Sequence, residues 1–202
     1  MRTAIAAFAA IAFAGTAALA APEVGKTAPA FTAQTAAGKT VSLKDFAGKT
    51  VVLEWTNSGC PFVKKHYESG NMQKLQADAK ANGVVWLTVN SSAPGKQGHV
   101  DSALAAKEMK DWTFQPTAYL LDHDGKVGKA YDARATPHMY VIDGKGVLRY
   151  AGAIDDKPTA NPADIKGAKN YVTAALGDIS AGRAVASPVT RAYGCTVKYP
   201  DA

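Results

Sequence analysis

Two cysteines are the residues most able to do chemistry, and Cys60 sits in an unusual place. The stretch from Asn57 to Lys65 reads Asn-Ser-Gly-Cys-Pro-Phe-Val-Lys-Lys and follows the apolar run Val51-Val52-Leu53. A strand therefore ends just before Cys60, and Pro61 opens a segment of helical character, since proline is tolerated in a first turn. A thiol at a helix start meets unpaired backbone N–H groups and the positive end of the dipole, and both favour thiolate. Lys64 and Lys65 add positive charge one turn on. A cysteine packed as a core filler would instead have a raised pKa. The neighbours Asn57, Ser58, Gly59 and Lys64 are not core residues, which favours the reactive state. The second cysteine, Cys195, lies far downstream in Gly194-Cys195-Thr196-Val197-Lys198-Tyr199. Three roles are open to it: a resolving thiol for Cys60, half of a structural disulfide, or a free thiol under the tail. Closing so long a loop would stabilise the fold by several kcal/mol in chain-entropy terms.

The elements that position these residues follow from apolar runs and turn signals. Short strands are expected at 31–33 and 40–43 around a glycine turn, and buried strands at 50–55, 84–89 and 117–121. A helix is expected from Pro61 to about Ala81, closed by Asn82-Gly83, and another over 100–110. Lys126 to Tyr131 suits one or two helical turns. Strands at 139–142 and 147–151 are joined at Asp143-Gly144, a hairpin signal. A final helix is expected over 165–176, followed by an irregular tail. Alternating strands and helices with a closing hairpin imply an α/β sheet covered by helices on both faces. In such sheets chemistry sits where the C-terminal end of a strand meets a helix start, which is where Cys60 lies. A second landmark is Ala135-Thr136-Pro137-His138. Pro137 cannot donate to a ladder, so it belongs at the start of the strand that follows.

The N-terminus reads as a targeting segment. Met1-Arg2 is a short basic start, Ala4 to Leu19 is small and apolar, and Ala18-Leu19-Ala20 has the form of a cleavage site. A signal peptide over 1–20 is expected, with a retained membrane anchor as the alternative. The remainder divides into a domain over 21–180 and a C-terminal tail over 181–202 that carries Cys195. No later segment is long and apolar enough to span a membrane. The protein is expected to be exported, periplasmic or secreted, where oxidising conditions let cysteines pair or work as redox thiols. The net charge is +6, but the lysines are scattered, which is a solvated surface and not a nucleic-acid footprint.

Four pieces in order are informative: Gly59-Cys60-Pro61-Phe62-Val63-Lys64-Lys65-His66, Arg134-Ala135-Thr136-Pro137, Tyr150-Ala151-Gly152-Ala153-Ile154-Asp155-Asp156, and Gly194 to Tyr199. Together they resemble the thioredoxin-like superfamily, and within it a peroxiredoxin-like branch of the redoxin (alkyl hydroperoxide reductase/thiol-specific antioxidant) group. The resemblance implies a thioredoxin-like α/β fold with a central mixed sheet. It implies a cis Thr136–Pro137 bond facing Cys60. It also implies that Glu54, on the strand before Cys60, is a buried acid behind the thiol, with raised pKa and a general-base role. The alternative for Glu54 is a strand-end side chain that reaches water. The departures are specific. Val63 stands where a Cys-x-x-Cys motif has its second cysteine. Asn57 stands where peroxiredoxins have threonine, with Thr56 the nearest one. Pro137 stands near where they have arginine, and Arg134 is the nearest substitute.

The implied function is an exported thiol oxidoreductase with Cys60 as nucleophile. Its substrate is a peroxide or disulfide, its partner an external thiol reductant protein, and no cofactor or metal is expected. Cys195 is expected to approach Cys60 and to be able to bond with it. Two other classes remain open: a copper-type metal module using Cys60, Cys195 and His138, and a redox-inert domain with a structural disulfide. His66 lies nearly two turns along the helix, and His99 and His123 read as surface residues.

Overall fold

The computed structural model describes residues 21–201, so the expected signal peptide over 1–20 lies outside the described residues. Among the described residues no helix is long and apolar enough to cross a membrane.

A mixed seven-stranded sheet forms the centre. Its strands are β1 (Thr32–Thr35), β2 (Thr40–Ser42), β3 (Val51–Trp55), β4 (Val85–Asn90), β5 (Ala118–Leu121), β7 (His138–Ile142) and β8 (Leu148–Gly152), in the order β2-β1-β5-β4-β3-β7-β8. The three inner strands β5, β4 and β3 run parallel, while β7, β8, β1 and β2 add antiparallel. Every residue of β3 is buried. That is why its sequence reads as a continuous apolar run broken only by Glu54.

Alternation along β3 splits its side chains between two cores. Val52 joins a core with Val63 and Tyr67 of α1 (Pro61–Glu68), Met72 and Leu75 of α2 (Asn71–Ala81), Ala105 of α3 (Ser102–Asp111) and Val172 of α5 (Tyr171–Ser180). Val51, Leu53 and Trp55 join a second core closed by Val127 of α4 (Lys126–Ala130), Tyr131 and the 3-10 turn Leu43–Phe46. Both faces are covered, but unequally, and Cys60 belongs to the four-helix side.

Several elements differ from the sequence expectation. The helix expected from Pro61 to Ala81 is two helices, broken at Ser69-Gly70. Gly70 takes φ 75, which only glycine adopts freely, and the chain turns there before α2. The final helix starts later than expected. Residues Pro162–Gly167 form a 3-10 turn, and Asn170 caps α5 by accepting from the Thr173 N–H. The Asp143-Gly144 connection is not a tight two-residue hairpin. The Asp143 carboxylate accepts from the N–H groups of Lys145 and Val147, and Gly146 takes the positive φ of 77. The tail is not wholly irregular either: β9 (Cys195–Thr196) pairs antiparallel with β6 (Ala135–Thr136) as a separate two-stranded sheet.

Candidate active site

Cys60 is the N-cap of α1, with extended backbone (φ −86, ψ 123), and Pro61 is the first helical residue. Its carbonyl accepts from the N–H groups of Val63 and Lys64, which starts the helix. The approach from β3 is held by Asn57. Its side-chain oxygen accepts from the Gly59 N–H at 2.9 Å, and its amide donates to the Gln97 carbonyl at 3.1 Å. Asn57 is thus a loop brace, with both ends of its side chain engaged.

The Cys60 sulfur is fully buried and lies 3.1 Å from the Thr136 carbonyl oxygen, to which the thiol donates. The Thr136–Pro137 bond is cis. Directly across the small sheet, Thr136 pairs with Cys195, and the Thr136 hydroxyl donates to the Cys195 carbonyl at 3.3 Å. Both cysteines are free thiols, Cys60 buried and Cys195 half-buried. One segment, Ala135–Thr136, therefore touches Cys60 on one side and carries Cys195 on the other.

The two thiols have opposite electrostatics. Burial pushes the Cys60 pKa up, but hydrogen bonds from the Cys195 thiol, Thr136, and the Val63 and Cys195 backbone outweigh it, and the net shift is downward. The Cys195 thiol is pushed up to about 11, first by burial, then by donating to Cys60 and facing its charge. The expected lysines are not among the leading influences. Lys64 is exposed, and Lys65 is buried with its ammonium on the Lys157 carbonyl at 2.8 Å and 3.5 Å from Asp155. The donors that favour the Cys60 thiolate are the helix start and the tail.

Gly194 lets the tail come this close. Its φ is 130, and a Cβ there would overlap the Thr136 carbonyl oxygen. Gly194→Ala is expected to strain the backbone by about 1–3 kcal/mol and to lift Cys195 off Thr136. Thiol titration during mild oxidation should then show severalfold slower loss of the two thiols. Closure at the wild-type rate would mean that the tail seats without this contact.

Glu54 is fully buried on β3. Its carboxylate accepts from Tyr67 Oη at 2.7 Å, Trp86 Nε1 at 2.7 Å, Thr88 Oγ1 at 3.1 Å and Gln76 Nε2 at 3.4 Å. Burial raises its pKa, and the donors oppose the rise without cancelling it. Neither cysteine is among its partners. The structure surrounds Glu54 with α1, α2 and β4 and does not put its carboxylate on the sulfur.

The ligand set Cys60, Cys195 and His138 is not assembled. Met139 and Val141 of β7 point into the core that holds Cys60, so His138 and Tyr140 point to the opposite face. His138 Nδ1 sits 3.1 Å from Tyr140 Oη, and burial lowers its pKa to about 4. Among the described residues no three His, Cys, Asp or Glu side chains are grouped to hold a metal. Arg134 is exposed and committed to Asp132 at 2.9 Å, so it does not fill the missing arginine. The His99 and His123 rings lie against each other at a tilt of 58°, centroids 4.4 Å apart, and each ring is bonded to a backbone carbonyl.

Sequence reasoning missed the anchor of the tail. Tyr193 donates to Asp155, whose other oxygen faces buried Lys65, and Tyr193 Oη lies 3.4 Å from His66 Nε2. Burial, and then Lys65, lower the His66 pKa to about 4 against the pull of Asp155, so the imidazole is neutral near pH 7. The Ala153-Ile154-Asp155 piece holds the signal, but nothing in it names Tyr193 as the partner.

The arrangement is two thiols of unequal acidity beside a cis-proline segment at a strand–helix junction, and known proteins share its frame. The Redoxin family model matches residues 23–171. Thioredoxin-like protein YneN of Bacillus subtilis is 29% identical over 143 residues, which is 70% of this chain and 79% of that protein. Thiol-disulfide oxidoreductase ResA of Bacillus thuringiensis is 29% identical over 126 residues, 61% of this chain and 66% of that one. The crystal structure of an uncharacterized conserved protein from Geobacillus kaustophilus superposes with a TM-score of 0.74 at 27% identity, covering 89% of this chain and 94% of that one. A hypothetical protein from Sinorhizobium meliloti 1021 gives 0.75 at 23% identity, over 91% and 98% of the chains. Glu54, Cys60, Thr136 and Pro137 fall inside the matched stretch and Cys195 beyond it; the chain has a thioredoxin-like fold and belongs to the Redoxin family.

Proposed function

We propose that this protein is a thiol–disulfide oxidoreductase that cycles Cys60 and Cys195 between dithiol and disulfide. The observation that carries this reading is the way one segment joins the two cysteines: the Cys60 sulfur lies 3.1 Å from the Thr136 carbonyl oxygen, and Thr136 pairs directly with Cys195 across the small sheet, with the Cys60 pKa shifted down and that of Cys195 up. The name of the relative ResA points the same way.

In the oxidising half, the Cys60 thiolate attacks one sulfur of a substrate disulfide and releases the other as thiolate. Cys195 then attacks the Cys60 sulfur, gives up its proton, and expels the second substrate thiolate. With a hydroperoxide, the Cys60 thiolate takes the distal oxygen as a sulfenic acid while the O–O bond breaks and the other oxygen leaves as the alcohol, and Cys195 then condenses with the sulfenic acid to form the disulfide and release water. The disulfide route suits this site better. Asn57 is fully engaged in bracing its loop and Arg134 is paired with Asp132, so neither is free to polarise a peroxide bond. An external thiol reductant protein closes the cycle. Thr136 and Pro137 act by placing the segment that holds both sulfurs. Glu54 acts as a positioning residue behind the pair, through Tyr67 of α1. We place the cycle outside the cytoplasm, in a periplasmic or secreted setting, from the leader-like composition of residues 1–20 and the oxidising conditions the disulfide state needs.

The test is a thiol count with peptide mass mapping before and after a mild disulfide oxidant. Both thiols should disappear together, and the peptides of Cys60 and Cys195 should be found joined with the loss of two hydrogens. Cys60 oxidised to a sulfinic acid with Cys195 still free would reject the pair.

A further inference from the structure

Lys65, His66 and Asp155 are buried together beside the tail, and the reaction described above uses none of them. The Lys65 and His66 side chains are 0% exposed and that of Asp155 is 2% exposed. Lys65 and His66 belong to α1, the helix that Cys60 starts, and Asp155 follows β8. Their common partner is Tyr193, which precedes Cys195 by two residues. The Tyr193 hydroxyl donates to one Asp155 oxygen, and Lys65 Nζ faces the other at 3.5 Å. Lys65 Nζ and His66 Nε2 also approach the hydroxyl oxygen, at 3.5 and 3.4 Å. Asn71 donates to His66 Nδ1 at 2.9 Å, so the proton of the neutral ring sits on Nε2 and points at Tyr193.

Resting on the dithiol–disulfide cycle above, we propose that Tyr193, seated on the buried Asp155–Lys65 pair, is the positioning residue that returns Cys195 to Cys60 for closure of the disulfide.

The geometry is that of a register device. Tyr193 and Cys195 both pack against the core that holds Cys60, while Gly194 and Thr196 between and after them are exposed. The Tyr193 ring lies against Phe62, with centroids 5.8 Å apart. Phe62, Lys65 and His66 are all on α1, so the seat of Tyr193 and the Cys60 sulfur ride on one helix. Fixing Tyr193 on α1 fixes Cys195 relative to Cys60. Cys60 is 0% exposed with the tail seated, so the tail moves aside when a substrate disulfide is attacked and must then come back to one place. An apolar contact alone would let the tail slide. A buried ion pair adds little net stability over apolar packing, because both charges lose their water, and its best-attested use is to fix register. Here Lys65 also donates to the Lys157 carbonyl at 2.8 Å, and the Lys157 N–H donates to Asp155 at 2.9 Å, so the pair is held in one orientation before Tyr193 arrives.

The two ends of the tail are held differently. Downstream of Cys195, Val197 is buried in the second core, Tyr199 Oη donates to the Ala133 carbonyl at 2.7 Å, and the Lys198 carbonyl accepts from the Ala93 N–H at 2.9 Å. Loss of one of these leaves the others. Upstream, the next hold beyond Tyr193 is Thr190, whose hydroxyl accepts from the Ala153 N–H at 2.9 Å. The position of Cys195 against α1 therefore depends on the Tyr193 hydroxyl more than on that of Tyr199.

The experiment compares the full chain with Tyr193→Phe and Tyr199→Phe. Tyr193→Phe keeps the ring against Phe62 and loses only the hydroxyl, so it is expected to fold. Each reduced protein is mixed with one equivalent of 5,5′-dithiobis(2-nitrobenzoate). The Cys60 thiolate attacks one sulfur and releases the first thionitrobenzoate. Cys195 then gives up its proton, attacks the Cys60 sulfur and expels the second. In Tyr193→Phe the first release should run at the wild-type rate or faster, since a looser tail uncovers Cys60, and the second should be about tenfold slower, because Cys195 is less well placed. The equilibrium constant for the Cys60–Cys195 disulfide in glutathione buffers should fall by about the same factor. Tyr199→Phe should stay close to wild type in both readings. Tyr193→Phe closing at the wild-type rate, both releases slowed alike, or an equal loss in Tyr199→Phe overturns the proposal. A wild-type chain that gives no second release and no joined peptides by mass defeats the underlying cycle, and that result is visible before any variant is made.

Discussion

A Cys60→Ser chain is expected to lose thiol-transfer activity by on the order of a thousandfold or more, because the proposed nucleophile is removed. The two Cys195 variants divide the role of the tail. Cys195→Ser keeps a hydroxyl that can still donate to the Cys60 sulfur, whereas Cys195→Ala removes the donor. In the folded protein the Cys195 thiol heads the hydrogen bonds that lower the Cys60 pKa. The Cys60 thiolate, followed by its ultraviolet absorbance against pH, should therefore appear at higher pH in Cys195→Ala than in wild type. Cys195→Ser should lie between them. Both variants should carry out the first attack on a substrate disulfide and then stall as a mixed disulfide on Cys60. Wild-type turnover by Cys195→Ser with a small thiol reductant would make Cys195 structural and the protein a one-cysteine enzyme.

How much of this site can be read from the sequence depends on whether the signal is local. Cys60 is legible because a strand end, a Cys-Pro pair and a helix start fall within a few residues. The inner strands are legible because burial on both faces leaves them almost entirely apolar. That same burial hides the orientation of His138. Met139, Tyr140, Val141 and Ile142 are all apolar or aromatic, so the sequence carries no alternation to say which face His138 shares. Lys65 reads as surface charge because lysine is rarely buried. Its partner Asp155 and the tail residue Tyr193 are brought to it only by the fold. The β6–β9 pairing is two residues on each strand, too short for any periodic pattern to show. The break at Gly70 is hidden because one glycine in a helical pattern is tolerated as often as it ends a helix.

Glu54→Gln is expected to cost the folded state about 1–3 kcal/mol, which is more than the sequence alone suggests. The resemblance implies a buried acid whose substitution slows exchange and spares the fold. The structure adds the expectation of a stability cost. Tyr67, Trp86, Thr88 and Gln76 all present donors to this carboxylate. A glutamine amide turns one of its ends into a donor, and that NH₂ group must then face another donor in a dry core. The pH dependence has a definite sign. Burial, the largest influence, raises the Glu54 pKa above its ordinary 4.5. Between that value and its folded pKa, the folded protein holds a proton that the unfolded chain has released. The contribution of Glu54 to stability is therefore fully present below the unfolded pKa and is lost as pH rises through the folded one. The amide of the Glu54→Gln variant does not titrate. The stability gap between wild type and variant should be widest in mild acid and should narrow as pH rises. Urea denaturation at a series of pH values measures this directly. A variant as stable as wild type, with no pH dependence in the difference, would show that the four donors do not depend on the carboxylate. Exchange rates, compared where both proteins are folded, then separate the two roles of the acid. A slower rate in the variant places Glu54 in the reaction through Tyr67 and α1, and an unchanged rate leaves it as the polar pin of the core behind Cys60.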